Sequence, residues 1–210
     1  MIKKGIWVLL VISCILIGLY PIIYFIMGGN FGLRSSKSAE LLANAIWNIG
    51  FYTHITLGGI ALLTGWTQFG SKFRNRNLTL HRRIGKVYVF AVLISSTAGI
   101  CIACFATGGL IPSVGFICLG VVWFSTTLMA YINIRNNRVE QHKRMMIYSY
   151  ATCFAAVTLR IYLPLLVSAM GSFVPAYRIV AWLCWVPNLI VAYWIIRINE
   201  KKYDQVTIQA

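Results

Sequence analysis

Six long apolar runs decide what this chain can become. A helix that crosses a bilayer needs about 20 mostly apolar residues. Runs of that kind occur at about Ile6–Met27, Trp47–Phe69, Val87–Thr107, Val114–Ile134, Met145–Met170 and Ile179–Ile196. Only Gly28–Ile46 and Gly70–Lys86 are long connections, so no stretch is left for a separate soluble domain. The expected fold is all-α: a single membrane domain over 1–210, built as a bundle of six transmembrane helices. Composition agrees, with 59% hydrophobic and 11% charged residues, far from the ~45–50% apolar and ~25% charged of soluble domains. A soluble basic protein would need a polar surface to carry a net charge of +15. Nucleic acid is therefore excluded as a partner and the lipid bilayer is implied. Disorder is excluded as well, because low hydrophobicity is its signature.

Basic residues collect in cytoplasmic loops. With the N-terminus in the cytoplasm, the inner side holds Lys3, Lys4, Lys72, Arg74, Arg76, Arg82, Arg83, Lys86, Arg135, Arg138, Lys143, Arg144, Arg197, Lys201 and Lys202. The outer side holds only Arg34, Lys37 and Arg178, and Arg160 lies within a span. Both termini are thus expected in the cytoplasm, in a bacterial cytoplasmic membrane whose anionic inner-leaflet lipids attract the basic face. Trp47 and Trp182 stand near outer span ends, where aromatic belts form. The first run is longer than the ~7–15 residues of a signal-peptide core and lacks a small-residue cleavage site, so it is expected to be a retained helix. Cys14, Cys101, Cys104, Cys118, Cys153 and Cys184 all fall in apolar runs, where cysteine behaves as a small hydrophobe.

Ionisable side chains inside a span usually face the bundle interior and mark function. His54 and Arg160 qualify. Each lies about 15 residues from the inner end of its span, or about 22 Å at ~1.5 Å per residue. They are expected at one depth, in the outer half of the membrane. His54, Gly58, Ala61, Gly65 and Gln68 share a helical stripe. So do His81, Gly85, Tyr88, Val92, Ser95 and Gly99, and His142, Met146, Ser149, Cys153, Ala156 and Arg160. Small residues let membrane helices pack closely, so all three stripes are expected to face protein. Pro164 and Pro187 free the carbonyls of Arg160 and Leu183. These features point to a polar cavity bounded by His54, Arg160 and Asn188, or else to internal hydrogen bonding that only holds helices together.

A second cluster is expected at the cytoplasmic face. His81-Arg82-Arg83 and His142-Lys143-Arg144 open two spans on the same side, 61 residues apart. That spacing would suit a parallel duplication, although basic residues belong at both places in any case. Two imidazoles between helices can ligate a haem b iron, with Arg82, Arg83, Lys143 and Arg144 on its propionates. The alternative is contact with lipid phosphates. No metal site is assigned otherwise.

The strings His54-Ile55-Thr56-Leu57-Gly58-Gly59, Leu80-His81-Arg82-Arg83-Ile84-Gly85-Lys86-Val87-Tyr88 and Phe154-Ala155-Ala156-Val157-Thr158-Leu159-Arg160 resemble the "domain of unknown function 2306" family of bacterial membrane proteins. The likeness runs from about 47 to 164. The family pattern has a histidine where His142 stands, followed by a Trp-Met where this chain has Met145-Met146. The resemblance implies a multi-helix membrane fold and one pattern joining His54, His81, His142 and Arg160. It brings no reaction with it.

The carboxylates Glu40, Glu140, Glu200 and Asp204 all lie outside the spans, which weakens a proton-driven carrier or a carboxylate-based hydrolase. No phosphate loop, dinucleotide fingerprint or serine elbow occurs. Three functions stay open. The first is a non-catalytic assembly or regulatory subunit with a protein partner or a second copy of itself. The second is a redox protein using haem at His81 and His142, or a quinone. The third is a small-solute or anion permease with Arg160 and His54 lining a polar cavity. The sequence leans away from an enzyme. The orientation has a direct check: a C-terminal fusion to a reporter that folds only in the cytoplasm is expected to be active, and the same reporter inserted in the 28–46 connection silent.

Overall fold

The computed structural model describes residues 4–27 and 31–208. Lys3 lies outside the described residues, and so do the side chains of Lys4, Lys72, Lys202 and Asp204. No strand occurs among the described residues. The helices are α1 (Lys4–Leu19), α2 (Pro21–Met27), α3 (Ala39–Ala43), α4 (Ala45–Gly65), α5 (Ser71–Arg76), α6 (Leu78–Ala103), α7 (Leu110–Arg135), α8 (Val139–Cys153), α9 (Ala155–Met170), α10 (Phe173–Leu183) and α11 (Val186–Ile208). Six segments are long and apolar enough to cross a membrane: Gly5–Met27, Ala45–Phe69, Leu78–Ala103, Leu110–Arg135, Val139–Met170 and Phe173–Lys201.

The expected six spans are present, and each starts earlier than its apolar run. The reason is local. Asn77 Oδ1 accepts the Leu80 N–H at 2.9 Å, which starts α6 ahead of the basic stretch, so His81 to Lys86 are already helical. Span two is capped the same way, by Asn44 Oδ1 on Trp47 N–H at 3.0 Å. Such caps contribute about 1 kcal/mol each.

The spans pack in a ring. Span two packs on span three, three on four, and four on both α8 and α10, while span one packs on α4 and touches α9 to close the circle. Spans one and two approach backbone to backbone. A Cβ on Gly59 would stand 2.6 Å from the Gly18 carbonyl oxygen, so only glycine lets α1 and α4 meet there. The expected stripes do turn inward: Ala61, Tyr88, Val92, Ser95, Ser149 and Cys153 are buried. All six cysteines are free thiols, but Cys101 and Cys104 lie on the exposed surface of the bundle.

Three spans are interrupted part-way across. Span one breaks at Tyr20, where Pro21 has no N–H to donate. Span six breaks at Cys184–Trp185, just before Pro187. Span five breaks at Phe154 rather than at Pro164, which sits inside an unbroken α9. There the Phe154 carbonyl accepts from both Val157 N at 2.9 Å and Thr158 N at 3.2 Å, tightening the turn. Carbonyls released in this way need a donor, because lipid offers none. Asn188 supplies it. Its Nδ2 donates to Ala151 O at 3.2 Å and Cys184 O at 2.9 Å, and also to Thr158 Oγ1 at 3.2 Å. Thr158 Oγ1 in turn donates to Cys184 O. One side chain therefore joins the breaks of spans five and six. Asn188→Leu is expected to destabilise the bundle by about 1–2 kcal/mol, read as a lowered midpoint in detergent unfolding.

Candidate functional site

The ring encloses a cavity of about 530 Å³ lined by residues from all six spans. Small-molecule sites are usually ~300–1,000 Å³. The breaks of spans one and five open onto it, since Tyr20 and Pro21 line it on one side and Cys153 and Ala155 on the other. Its floor is formed by Leu62, Trp123 and Thr152, and its far end lies under the connection that carries Gly32, Leu33 and Lys37. Eight aromatic side chains stand in its walls among aliphatic residues and glycines. The lining contains Lys37, His54 and Arg160 and, among the described residues, no carboxylate.

Arg160 is held from two directions. Its Nη1 donates to the Ala156 carbonyl, one turn back, at 2.9 Å. Its guanidinium lies over the Tyr20 ring, 4.5 Å from the centroid, and a desolvated cation–π contact of this kind is worth about 2 kcal/mol. Nε is buried without a partner. His54 lines the same space. Its Nδ1 donates to the Ser95 carbonyl at 2.9 Å. The Ser95 hydroxyl donates to the His54 carbonyl, also at 2.9 Å. The ring lies flat on α6 because position 99 is glycine: a Cβ there would stand 2.8 Å from Nδ1.

A strap closes the far end. Residues Gly32–Ser36 form a 3-10 turn. The turn is tied down by Leu33 N–H on the Tyr24 hydroxyl at 3.2 Å and by Arg34 Nη1 on Asn48 Oδ1 at 2.6 Å. Ser36 Oγ meets Thr107 Oγ1 at 3.1 Å. Lys37 Nζ donates to Phe105 O at 2.5 Å and Thr107 Oγ1 at 3.0 Å. Burial pushes the Lys37 ammonium down to about 8, since removal from water disfavours the charged form.

Sequence reading singled out His54 and Arg160, and the fold brings them to one cavity. Asn188, grouped with them, does not line it; it is occupied by the helix breaks. Trp47, assigned to a lipid-facing belt, is buried and lines the cavity instead. Lys37 was counted only as an outer charge, and nothing in its local sequence marks it as a cavity residue. Tyr20 had a usable signal, the proline following it inside an apolar run.

His81 and His142 lie apart from this cavity, near enough to each other to interact electrostatically. His142 Nδ1 donates to Ala130 O at 2.9 Å, while the buried His81 Nδ1 has no partner. Of the four basic residues around them, Lys143 pairs with Glu140 at 2.6 Å and Arg144 with Glu200 at 3.0 Å. Arg82 and Arg83 are exposed.

The family model described as "Predicted membrane protein (DUF2306)" matches residues 51–196, more than half of the chain. The chain belongs to this family. The matched range includes His54, His81, His142, Arg160 and Asn188, while Tyr20 and Lys37 lie before it. No curated protein and no solved structure matches the chain. Within the family region the seat of His54 is the most sharply defined contact. Gly99→Ala is expected to displace the ring and cost about 1–3 kcal/mol, seen as a lower unfolding midpoint together with an altered His54 imidazole signal in NMR.

Proposed function

We propose that this protein is an anion-binding membrane protein of the permease type, which takes a small organic anion into the central cavity between its six spans. The observation that carries this reading is Arg160. An intramembrane guanidinium normally pairs with an acid or with backbone carbonyls. Here one carbonyl takes one N–H, and no carboxylate among the described residues lines the space it faces. The remaining donors suit a carboxylate or a phosphate, which a guanidinium can hold bidentately. Lys37 at the far end adds a second cation along the same space. Interrupted spans beside a central cavity are also a recurring feature of transporters. In this reading both termini are cytoplasmic and the strap lies on the outer side.

The redox alternative would rest on His81 and His142. Two of the four basic side chains it needs for haem propionates, Lys143 and Arg144, are already paired with Glu140 and Glu200. The cavity is the better supported site.

Benzoate is a suitable first probe, being a small aromatic carboxylate. In lipid nanodiscs it is expected to bind more tightly than benzyl alcohol by calorimetry. Arg160→Gln should weaken it by about thirtyfold or more, since removing one partner of a buried charge pair costs roughly 2–5 kcal/mol. Equal binding of benzoate and benzyl alcohol, unchanged by Arg160→Gln, would sink the proposal. Affinity is also expected to fall as pH rises through about 8, where Lys37 loses its proton. Lys37→Met should abolish that fall. Proteoliposomes would show benzoate counterflow above the leak of protein-free vesicles.

A further inference from the structure

His54 narrows the ligand class, on the assumption that the anion reading of Arg160 holds. A carbonyl oxygen can only accept, so the 2.9 Å contact with Ser95 O places the ring proton on Nδ1. In the neutral ring Nε2 is then left as an acceptor. It has no partner among the described residues, and His54 lines the cavity. An anion with only acceptor atoms would satisfy Arg160 and leave Nε2 unpaired. A buried polar atom left unpaired costs affinity. The same argument disfavours an oxidised quinone, whose ring oxygens can only accept.

We infer that the ligand carries a hydrogen-bond donor for His54 Nε2 beside the anionic group held by Arg160, and that its class is a hydroxylated aromatic carboxylate. The donor is a hydroxyl rather than an ammonium, because the cavity already holds Arg160 and Lys37 and has no carboxylate among its described lining residues to balance a third cation. The aromatic body follows from the walls. Tyr20, Tyr24, Trp47, Phe51, Phe116 and Tyr177 all line the cavity, and aromatic faces pack favourably against one another in offset or edge-on arrangements.

The three isomeric hydroxybenzoates act as a ruler, since they place the hydroxyl at three distances from the carboxylate. Calorimetry in nanodiscs would compare each with benzoate and with benzyl alcohol. One isomer is expected to bind about tenfold more tightly than benzoate, the worth of one good hydrogen bond. His54→Ala should bring the ratio of that isomer to benzoate close to one. If no isomer exceeds benzoate while benzoate still depends on Arg160, this inference is overturned and the anion reading stands. If benzoate binds no better than benzyl alcohol, the anion reading falls and takes this inference with it. The ligand series on the unsubstituted protein decides the matter even if His54→Ala fails to fold.

Discussion

Lipid cannot hydrogen-bond a peptide group, and the architecture follows from that single fact. Unbroken helices meet the requirement internally. This protein breaks three of its six spans, and each break needs an answer from a side chain or a tightened turn. Span five tightens around the Phe154 carbonyl, and Asn188 takes the carbonyls of Ala151 and Cys184. What the breaks gain is space. Chains that turn part-way across the membrane cannot all pack along a common axis, and the cavity lies where spans one and five are interrupted.

The polar groups within the bundle fall into two sets, one beside the cavity and one lining it. One set is spent on the fold: Asn188, Thr158 and Ser95 hold backbone carbonyls. The other set has capacity left over, namely Arg160, His54 through Nε2 and, at the rim, Lys37. Arg160 is positioned rather than neutralised. The Ala156 carbonyl and the Tyr20 ring fix its direction without supplying a negative charge. A cation kept in an apolar setting with spare donors is costly unless something completes it.

Much of this was readable from the residue pattern. The six spans and the inward stripes follow from apolar run length and the 3.6-residue period, both local properties. What was not readable depends on tertiary context. Pro164 marks a free carbonyl at Arg160, yet the turn in span five forms at Phe154, where Asn188 of another span serves the Ala151 carbonyl. Trp47 looked like an interfacial anchor, but its helix face is chosen by the strap above it and the neighbouring spans. Lys37 belongs to the cavity only because the strap that carries it folds back over the bundle and meets Thr107. No periodicity encodes such a return.

Span one has a consequence for the order in which the site comes into being. It is made before span five, where its Tyr20 ring and Cys14 thiol find their partners. The Cys14 to Tyr150 contact closes over 136 residues. During synthesis, which proceeds at roughly 5–20 residues per second, span one can settle on span two early, but its Cys14 thiol waits about 7–27 s for Tyr150. The space between Tyr20 and Arg160 is thus completed only once span five has been made.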